Sequence, residues 1–109
     1  MSQIDTFEAM LSRGQDSEML RFTLGNAYYK EKRFKEAIVH LTSAVEQNPM
    51  YSSAWKVLGR ALTDDEQYQS ALVTFQSGLL AAQNNGDKQV EKEIGVFMKR
   101  AQRLLDSSD

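Results

Sequence analysis

The chain has 109 residues, of which 41% are hydrophobic, and its 13 basic and 15 acidic residues leave a formal net charge of −2. That length suits one domain with a real hydrophobic core, and the near-neutral charge gives no electrostatic basis for binding duplex nucleic acid or an anionic membrane. The absence of cysteine excludes disulfides, thiolate zinc sites and a cysteine nucleophile.

Apolar residues recur at spacings of three and four along the chain, a pattern typical of amphipathic helices. A weak first helix is expected at about residues 4–11, before Gly14. No alternation of apolar and polar residues lasts long enough for a strand. The prediction is an all-α fold of six helices in about three hairpins, with five longer apolar stripes at residues 20–28, 37–45, 54–62, 71–79 and 90–105.

Short breaks separate these stripes. Charged interruptions lie at residues 30–33 and 64–67, and Pro49 stops a helix because the residue before a proline disfavours helical geometry. Residues 52–53 are both serine and are expected to cap the next helix, while residues 84–87 supply a helix stop followed by an N-cap. Connections this short predict antiparallel neighbouring helices.

A shift of 34 residues superposes the chain on itself at its apolar and small positions. Leu24-Gly25 falls on Leu58-Gly59, and the same shift pairs Ala27 with Ala61, Phe34 with Tyr68, Ala37 with Ala71, Leu41 with Phe75 and Ala44 with Gly78. Helix-turn-helix units of this length, with a W-x2-L-G-x2-Y, A-x3-F and P pattern, are typical of tetratricopeptide repeats (TPR). The sequence closely resembles that family. Residues 24–30 of the first unit read like the family consensus, and the second unit keeps its signature residues Trp55, Leu58, Gly59, Ala71 and Phe75.

The resemblance implies a right-handed α-α superhelix in a single TPR-like domain over residues 1–109. Gly25 and Gly59 are expected where the first helix of each pair closely approaches the second. The domain divides into an N-terminal helix in residues 1–17, repeat one at 18–51, repeat two at 52–85, and a C-terminal capping helix with a short tail at 86–109.

Two departures from the repeat pattern bear on this organisation. Arg21 stands where the second repeat has Trp55. A third period fails at the same shift, because Gln89, Lys92 and Glu93 fall at the Trp, Leu and Gly positions. The last segment is therefore predicted to be a single amphipathic cap, which solenoids need to cover an exposed end.

The resemblance also implies a function, since the usual activity of this family is to bind other proteins in a concave groove lined by the first helix of each pair. Side chains on those helices that lie off the buried stripe are predicted to face the groove. The predicted partner-binding groove comprises Met19, Phe22, Asn26, Tyr29, Lys30, Ser53, Lys56, Arg60 and Thr63, together with Asp64.

The predicted partner is a protein or peptide with an apolar anchor and an acidic group, such as a C-terminal carboxylate. Phe22 and Tyr29 offer flat apolar surface, and Asn26, Lys56 and Arg60 offer donors. Family members that bind a terminal carboxylate use Asn, Lys and Arg on their first helices. Asn26 matches such a position, but Phe22 stands where a lysine is expected, so the complete clamp is absent. Three pairs are predicted across the groove: Phe22 beside Lys56, Asn26 beside Arg60, and Lys30 beside Asp64.

Three alternatives stay open. Lys56 and Arg60 can equally be solvated surface charges without a ligand. A structural role is the second alternative, in which the chain forms a homodimer or a larger assembly through Met19, Phe22 and Tyr29 or through an end face. The third is an autoinhibitory role for the acidic tail at residues 106–109.

Nothing in the sequence has the pattern of an enzyme or a cofactor site. His40 is the only histidine and lacks triad partners, so a surface or packing role is expected. The acidic residues 64–66 lack the oxygen spacing and the glycine of a calcium loop. We therefore predict a protein that is not an enzyme and holds no metal or cofactor.

The length of the apolar runs and the first five residues indicate the cellular compartment that we expect for the protein. The longest apolar runs fall far short of the ~20 residues that span a bilayer. The first five residues lack the basic and apolar regions of a signal peptide. A cytoplasmic protein that binds neither membrane nor nucleic acid is expected.

Overall fold

The structure, a computed structural model, describes residues 2–108 and confirms the predicted all-α fold of six helices. Met1 and the last residue of the predicted acidic tail, Asp109, lie outside the described residues. The helices are α1 Gln3–Ser12, α2 Glu18–Lys30, α3 Phe34–Gln47, α4 Ser52–Asp64, α5 Tyr68–Asn85 and α6 Lys88–Ser107.

The helices pack in chain order into two layers. Helices α2 and α3 form one hairpin and α4 and α5 form the next, while α3 packs on α4 and α5 packs on α6. Helix α4 also contacts both α2 and α6, so these three helices lie side by side in one layer. The smallest extent of the molecule is 19 Å, which is about the thickness of two helices.

Gly25 allows α2 and α3 to pack closely within the first hairpin, and Gly59 does the same for α4 and α5 in the second, as predicted. A Cβ atom on Gly25 would lie 2.6 Å from Leu41 Cγ, and one on Gly59 would overlap the ring of Phe75. Leu41 and Phe75 are themselves fully buried. A residue without a side chain is needed on each first helix because the second helix places a large core side chain directly against its backbone.

Helix α6 continues the repeat with a spacing that the 34-residue shift does not detect. Ile94-Gly95 follows Leu58-Gly59 by 36 residues, and Ile94 is fully buried. The extra two residues arise because α5 has 18 residues where α3 has 14, while the connection that follows shortens from residues 48–51 to residues 86–87. The predicted register was therefore wrong: Glu91, Ile94 and Gly95 fill the Trp, Leu and Gly positions. The division of the chain into two repeats within one domain stays a prediction.

Polar side chains cap the N-termini of several helices. The Ser2 side chain accepts a hydrogen bond from the Asp5 backbone and forms a capping box at α1, and Ser17 caps α2. Gly86 takes a left-handed conformation after α5, and Asp87 caps α6, as predicted for residues 84–87. The predicted serine cap at residues 52–53 was wrong. Ser52 is already helical, and its hydroxyl donates to Asp87 Oδ2 at 3.2 Å.

A polar network connects α1 to α2 and α3. Tyr28 Oη donates to Glu8 Oε2 at 2.6 Å, and the Tyr28 ring stacks on His40 with centroids 5.5 Å apart. Arg21 Nη1 lies 3.1 Å from His40 Nδ1 and also makes a two-point contact with Asp16. Burial lowers the pKa of His40, so its neutral form is favoured. The structure thus confirms a packing role for His40. Arg21, which stands at the position that Trp55 occupies in the second repeat, makes polar contacts there.

Adding a methyl group at the glycines of the first helices is expected to have opposite effects at two sites. Gly59→Ala should lower the free energy of unfolding by about 1–3 kcal/mol because its Cβ overlaps the Phe75 ring. Gly95→Ala should be neutral or raise the free energy of unfolding by up to about 1 kcal/mol, because its Cβ meets no other atom within 4 Å and alanine favours a helix. Urea unfolding of dilute protein measures both changes. Equal effects at the two glycines would contradict the close packing at Gly59.

Candidate partner-binding site

The candidate site is the surface that α2, α4 and α6 form on the side away from α3 and α5, here called the first-helix face. Arg60 of α4 lies at its centre. The guanidinium carbon of Arg60 is 4.4 Å from the ring centroid of Phe97 on α6 and 5.2 Å from that of Tyr29 on α2. Each cation–π contact contributes roughly 0.5–2 kcal/mol, depending on how far it is desolvated. One side chain therefore connects all three helices of the face.

Tyr29, Asp64 and Arg100 form a second contact across the same three helices. Tyr29 Oη donates to Asp64 Oδ2 at 2.6 Å, and Arg100 Nη1 donates to Asp64 Oδ1 at 3.3 Å. Burial, and then the hydrogen bond to the Asp64 carboxylate, raise the pKa of Tyr29 to about 12. Since Tyr29 and Arg100 occupy the Asp64 carboxylate, the predicted pair of Lys30 with Asp64 does not form.

Lys56 is paired within the chain. Its Nζ lies 3.0 Å from Glu93 Oε1 on α6, and only 19% of its side chain is exposed. Phe22 packs on Tyr51, with ring centroids 4.9 Å apart, and its pairing with Lys56 stays a prediction. Lys56 is therefore neither the open donor of the predicted groove nor the solvated charge of the alternative interpretation.

The remaining predicted groove residues lie in different environments. Met19 is 69% exposed and Lys30 is exposed, while Asn26 and Ser53 are half-buried. Thr63 is a correction, because it is only 3% exposed and its hydroxyl donates to the Gly59 carbonyl at 2.7 Å. A threonine that turns its hydroxyl back onto its own helix in the core does not line an open surface.

The sequence analysis missed the contribution of α6 to this face. Glu93, Phe97 and Arg100 supply the partners of Lys56, Arg60 and Asp64. The available signal was the Leu-Gly pair that recurs as Ile94-Gly95 at the altered spacing of 36 residues. Recognising that pair would have placed α6 as a third first helix and its charged residues beside those of α4.

After these pairings, Arg60, Lys30 and Asn26 are predicted groove donors that keep unmatched binding capacity within residues 2–108. Within residues 2–108, Arg60 meets no carboxylate at ion-pair distance, and the Asn26 side chain makes no hydrogen bond to another residue. The same part of the chain contains no group of three or more His, Asp or Glu side chains that could hold a metal ion. None of its helices is both long and apolar enough to cross a membrane. The arrangement is suited to binding an anionic group.

Comparisons of sequence agree on one family. A family model described as tetratricopeptide repeat matches residues 28–90. TPR repeat-containing protein PA0015 of Pseudomonas aeruginosa is 40% identical over 100 residues, which cover 92% of this chain and 95% of that protein. The match therefore extends over nearly the whole of both chains.

Solved structures agree on the fold. Protein BPP2914 from Bordetella parapertussis superposes with a TM-score of 0.81 at 43% sequence identity, covering 94% of this chain and 90% of that one. The TPR2B domain of yeast Sti1, solved as a complex with pHsp70, superposes with a TM-score of 0.84 at 21% identity, covering 92% of this chain and 80% of that one. These superpositions confirm the predicted helical-repeat fold.

The contact of Tyr29 with Asp64 predicts a distinctive alkaline titration. Burial raises the pKa of Tyr51 as well, but Tyr28 and Tyr29 are the two tyrosines whose pKa is raised to about 12, so Tyr29→Phe should remove one of these two phenols from an absorbance titration. Because the folded pKa of Tyr29 lies above the ordinary tyrosine value of 10.0, its contribution to stability is complete below pH 10.0 and is lost as the pH rises through about 12.

Asp64→Asn provides the comparison for this titration, because it removes the negative charge but keeps an acceptor oxygen. The pKa of Tyr29 should then move down toward its ordinary value, measured where circular dichroism shows that the helices persist. A titration curve that Tyr29→Phe leaves unchanged above pH 11 would contradict the assignment.

Proposed function

The chain belongs to the tetratricopeptide repeat family, whose domains are generally protein–protein interaction modules, and on this premise we propose that its first-helix face binds a peptide or partner-protein segment. The observation that carries the proposal is the position of Arg60. Its guanidinium is held between two aromatic rings at the centre of the face and has no carboxylate partner within residues 2–108. We propose no catalysis, since repeats of this family are usually non-catalytic and PA0015 does not carry an enzyme's name.

Arg60 favours an acidic group on the partner. A guanidinium that stacks on rings through its face keeps its N–H donors in the plane of the group, where a carboxylate can accept two of them. Contact with the rings also limits the rotamers of the side chain, so less entropy is lost when a ligand binds. The half-buried Asn26 adds an amide that can pair with the backbone of a bound segment.

An apolar side chain of the partner would pack beside this group. Phe22 is half-buried against Tyr51, and Tyr29 is half-buried on the same helix. Met19 lies at the start of α2 and is mostly exposed. Aromatic rings provide large contact area at little cost in conformational entropy. A partner segment with one apolar anchor and one acidic group matches this combination.

The ion pair between Lys56 and Glu93 determines how much Lys56 can contribute to binding an acidic partner, compared with Arg60 on the same helix. A ligand carboxylate that approaches Lys56 must first displace Glu93 from a contact of 3.0 Å. Arg60 requires no such displacement. We therefore expect Arg60 to contribute more affinity than Lys56, and Lys30 and Ser53 to contribute at the margins of the surface.

The Sti1 comparison gives limited support for a peptide ligand. That domain was solved in complex with pHsp70, and it shares the helical-repeat fold at 21% identity. A protein segment, rather than nucleic acid, membrane or cofactor, is the partner that we propose here. We propose the cytoplasm as the location.

A random dodecapeptide library displayed on phage tests the proposal. Peptides selected on the immobilised chain should combine an acidic residue with a large apolar residue and bind with a Kd on the order of micromolar. Arg60→Gln should weaken binding of a selected synthetic peptide about tenfold to hundredfold, as expected for the loss of a hydrogen bond to a charged group. Isothermal titration calorimetry measures the change.

Two further variants make the test specific. Arg13→Gln removes the same charge from an exposed residue just after α1 and should leave the affinity unchanged. Glu93→Gln frees the Lys56 ammonium and should tighten binding of the acidic peptide. The proposal fails if selected peptides lack acidic residues, or if Arg60→Gln weakens binding no more than Arg13→Gln does.

A further inference from the structure

The two ends of the helical stack carry complementary halves of a helix pair. Gly25 and Gly59 are each covered by a large side chain of the following helix, whereas a Cβ atom on Gly95 would meet no other atom within 4 Å. Within residues 2–108, α6 is thus a first helix whose second helix is missing. The outward surface of α6 forms an open depression of about 410 Å³ bordered by Lys88, Gln89, Glu91, Lys92 and Gly95.

Helix α1 has the reverse character, because its large apolar residues match those of the second helices. Phe7 is half-buried against the core of its own chain. The 34-residue shift places Phe7 at the position of Leu41 and Phe75, which cover Gly25 and Gly59. The large flanking residues also agree, with Ile4 equivalent to Ile38 and Leu72, and Leu11 equivalent to Val45 and Leu79. The small positions differ, because Gln3 stands at the position of Ala37 and Ala71, and Met10 at that of Ala44 and Gly78. Within the described chain, α1 is therefore a second helix with no first helix before it, and Phe7 has no glycine to cover.

We propose that the chain associates head to tail, with α1 of one copy packed on α6 of the next and Phe7 of the first copy seated against Gly95 of the second. The contact reproduces, between two molecules, the packing of α3 on α2 and of α5 on α4 within one molecule. Because it joins two different surfaces, repetition of the contact continues the helical stack into a ring or an open filament.

Charge supports a second copy as the occupant of this end. Helix α1 carries Asp5 and Glu8 and no basic residue between positions 3 and 12. Helix α6 carries exposed basic side chains that form no ion pair within the described chain: Lys88, Lys92, Lys99 and Arg103. An acidic α1 that approaches this basic surface gains attraction that added salt will screen.

The proposed contact is separate from the peptide site. It uses the two ends of the stack, whereas the first-helix face lies along α2, α4 and α6 with Arg60 at its centre. Arg60→Gln should therefore leave self-association unchanged, and Gly95→Trp should leave peptide affinity unchanged in dilute protein. Phe7→Glu is not used for this comparison, because Phe7 lines one depression with Met19. Failure of either proposal can be recognised without reference to the other.

Light scattering from micromolar to near-millimolar protein is the first measurement. The wild-type mass should rise with concentration from the 12.4 kDa of one chain, and added salt should reduce that rise. Gly95→Trp fills the open site with an indole and should hold the mass at 12.4 kDa. Phe7→Glu should do the same from the other end. Val39→Trp, at a 61% exposed position in the middle of the stack, is the matched control and should assemble like the wild type.

Mixing the two end variants gives the decisive result. Each variant keeps one intact end, so an equal mixture of Gly95→Trp and Phe7→Glu should form a one-to-one dimer of twice the mass of one chain and nothing larger. Circular dichroism of each variant verifies that it is folded. A wild type that stays monomeric throughout, a Gly95→Trp variant that assembles like the wild type, or a mixture without dimer would each overturn the proposal.

Discussion

The close approach of each second helix to the glycine of its first helix is the constraint on which the rest of the molecule depends. Phe75 lies against Gly59, and Leu41 lies against Gly25, at distances that leave no room for a Cβ atom. This contact brings the members of each hairpin together and leaves the opposite side of each first helix uncovered. The first-helix face forms because α2 and α4 lie side by side in this arrangement and α6 continues the row next to α4.

The side chains of that face largely satisfy one another. Among the described residues, Lys56 meets Glu93 and Asp64 meets both Tyr29 and Arg100, whereas Arg60 is held by aromatic rings and not by a carboxylate. Contacts of this kind between neighbouring helices fix the side chains before any ligand arrives. These contacts thus order the surface formed by α2, α4 and α6, and Arg60 is the cation on which the proposed binding of an acidic group rests.

The 34-residue repeat in the sequence predicted the fold, but it did not predict that α6 lies beside α4 as a third first helix. Leu24-Gly25 and Leu58-Gly59 are separated by one period, and the helices around them are amphipathic enough to be located by their apolar spacing. The third Leu-Gly equivalent, Ile94-Gly95, is displaced because α5 has four more residues than α3 and the following connection has two fewer. A fixed shift misses a change in helix length that tertiary packing accepts, since the stripe on α6 still points at the core.

The sequence by itself determined the helices, the repeat, and which side chains lie on the first helices, because these depend on local periodicity and on the volume allowed at each position. Tertiary structure decided the partners of those side chains. Equivalent residues one period apart share a helix position, but long charged side chains reach past the equivalent residue to a neighbour on the adjoining helix. The lateral offset and separation of the packed helices therefore selected Glu93 for Lys56, Tyr29 and Arg100 for Asp64, and the two rings for Arg60.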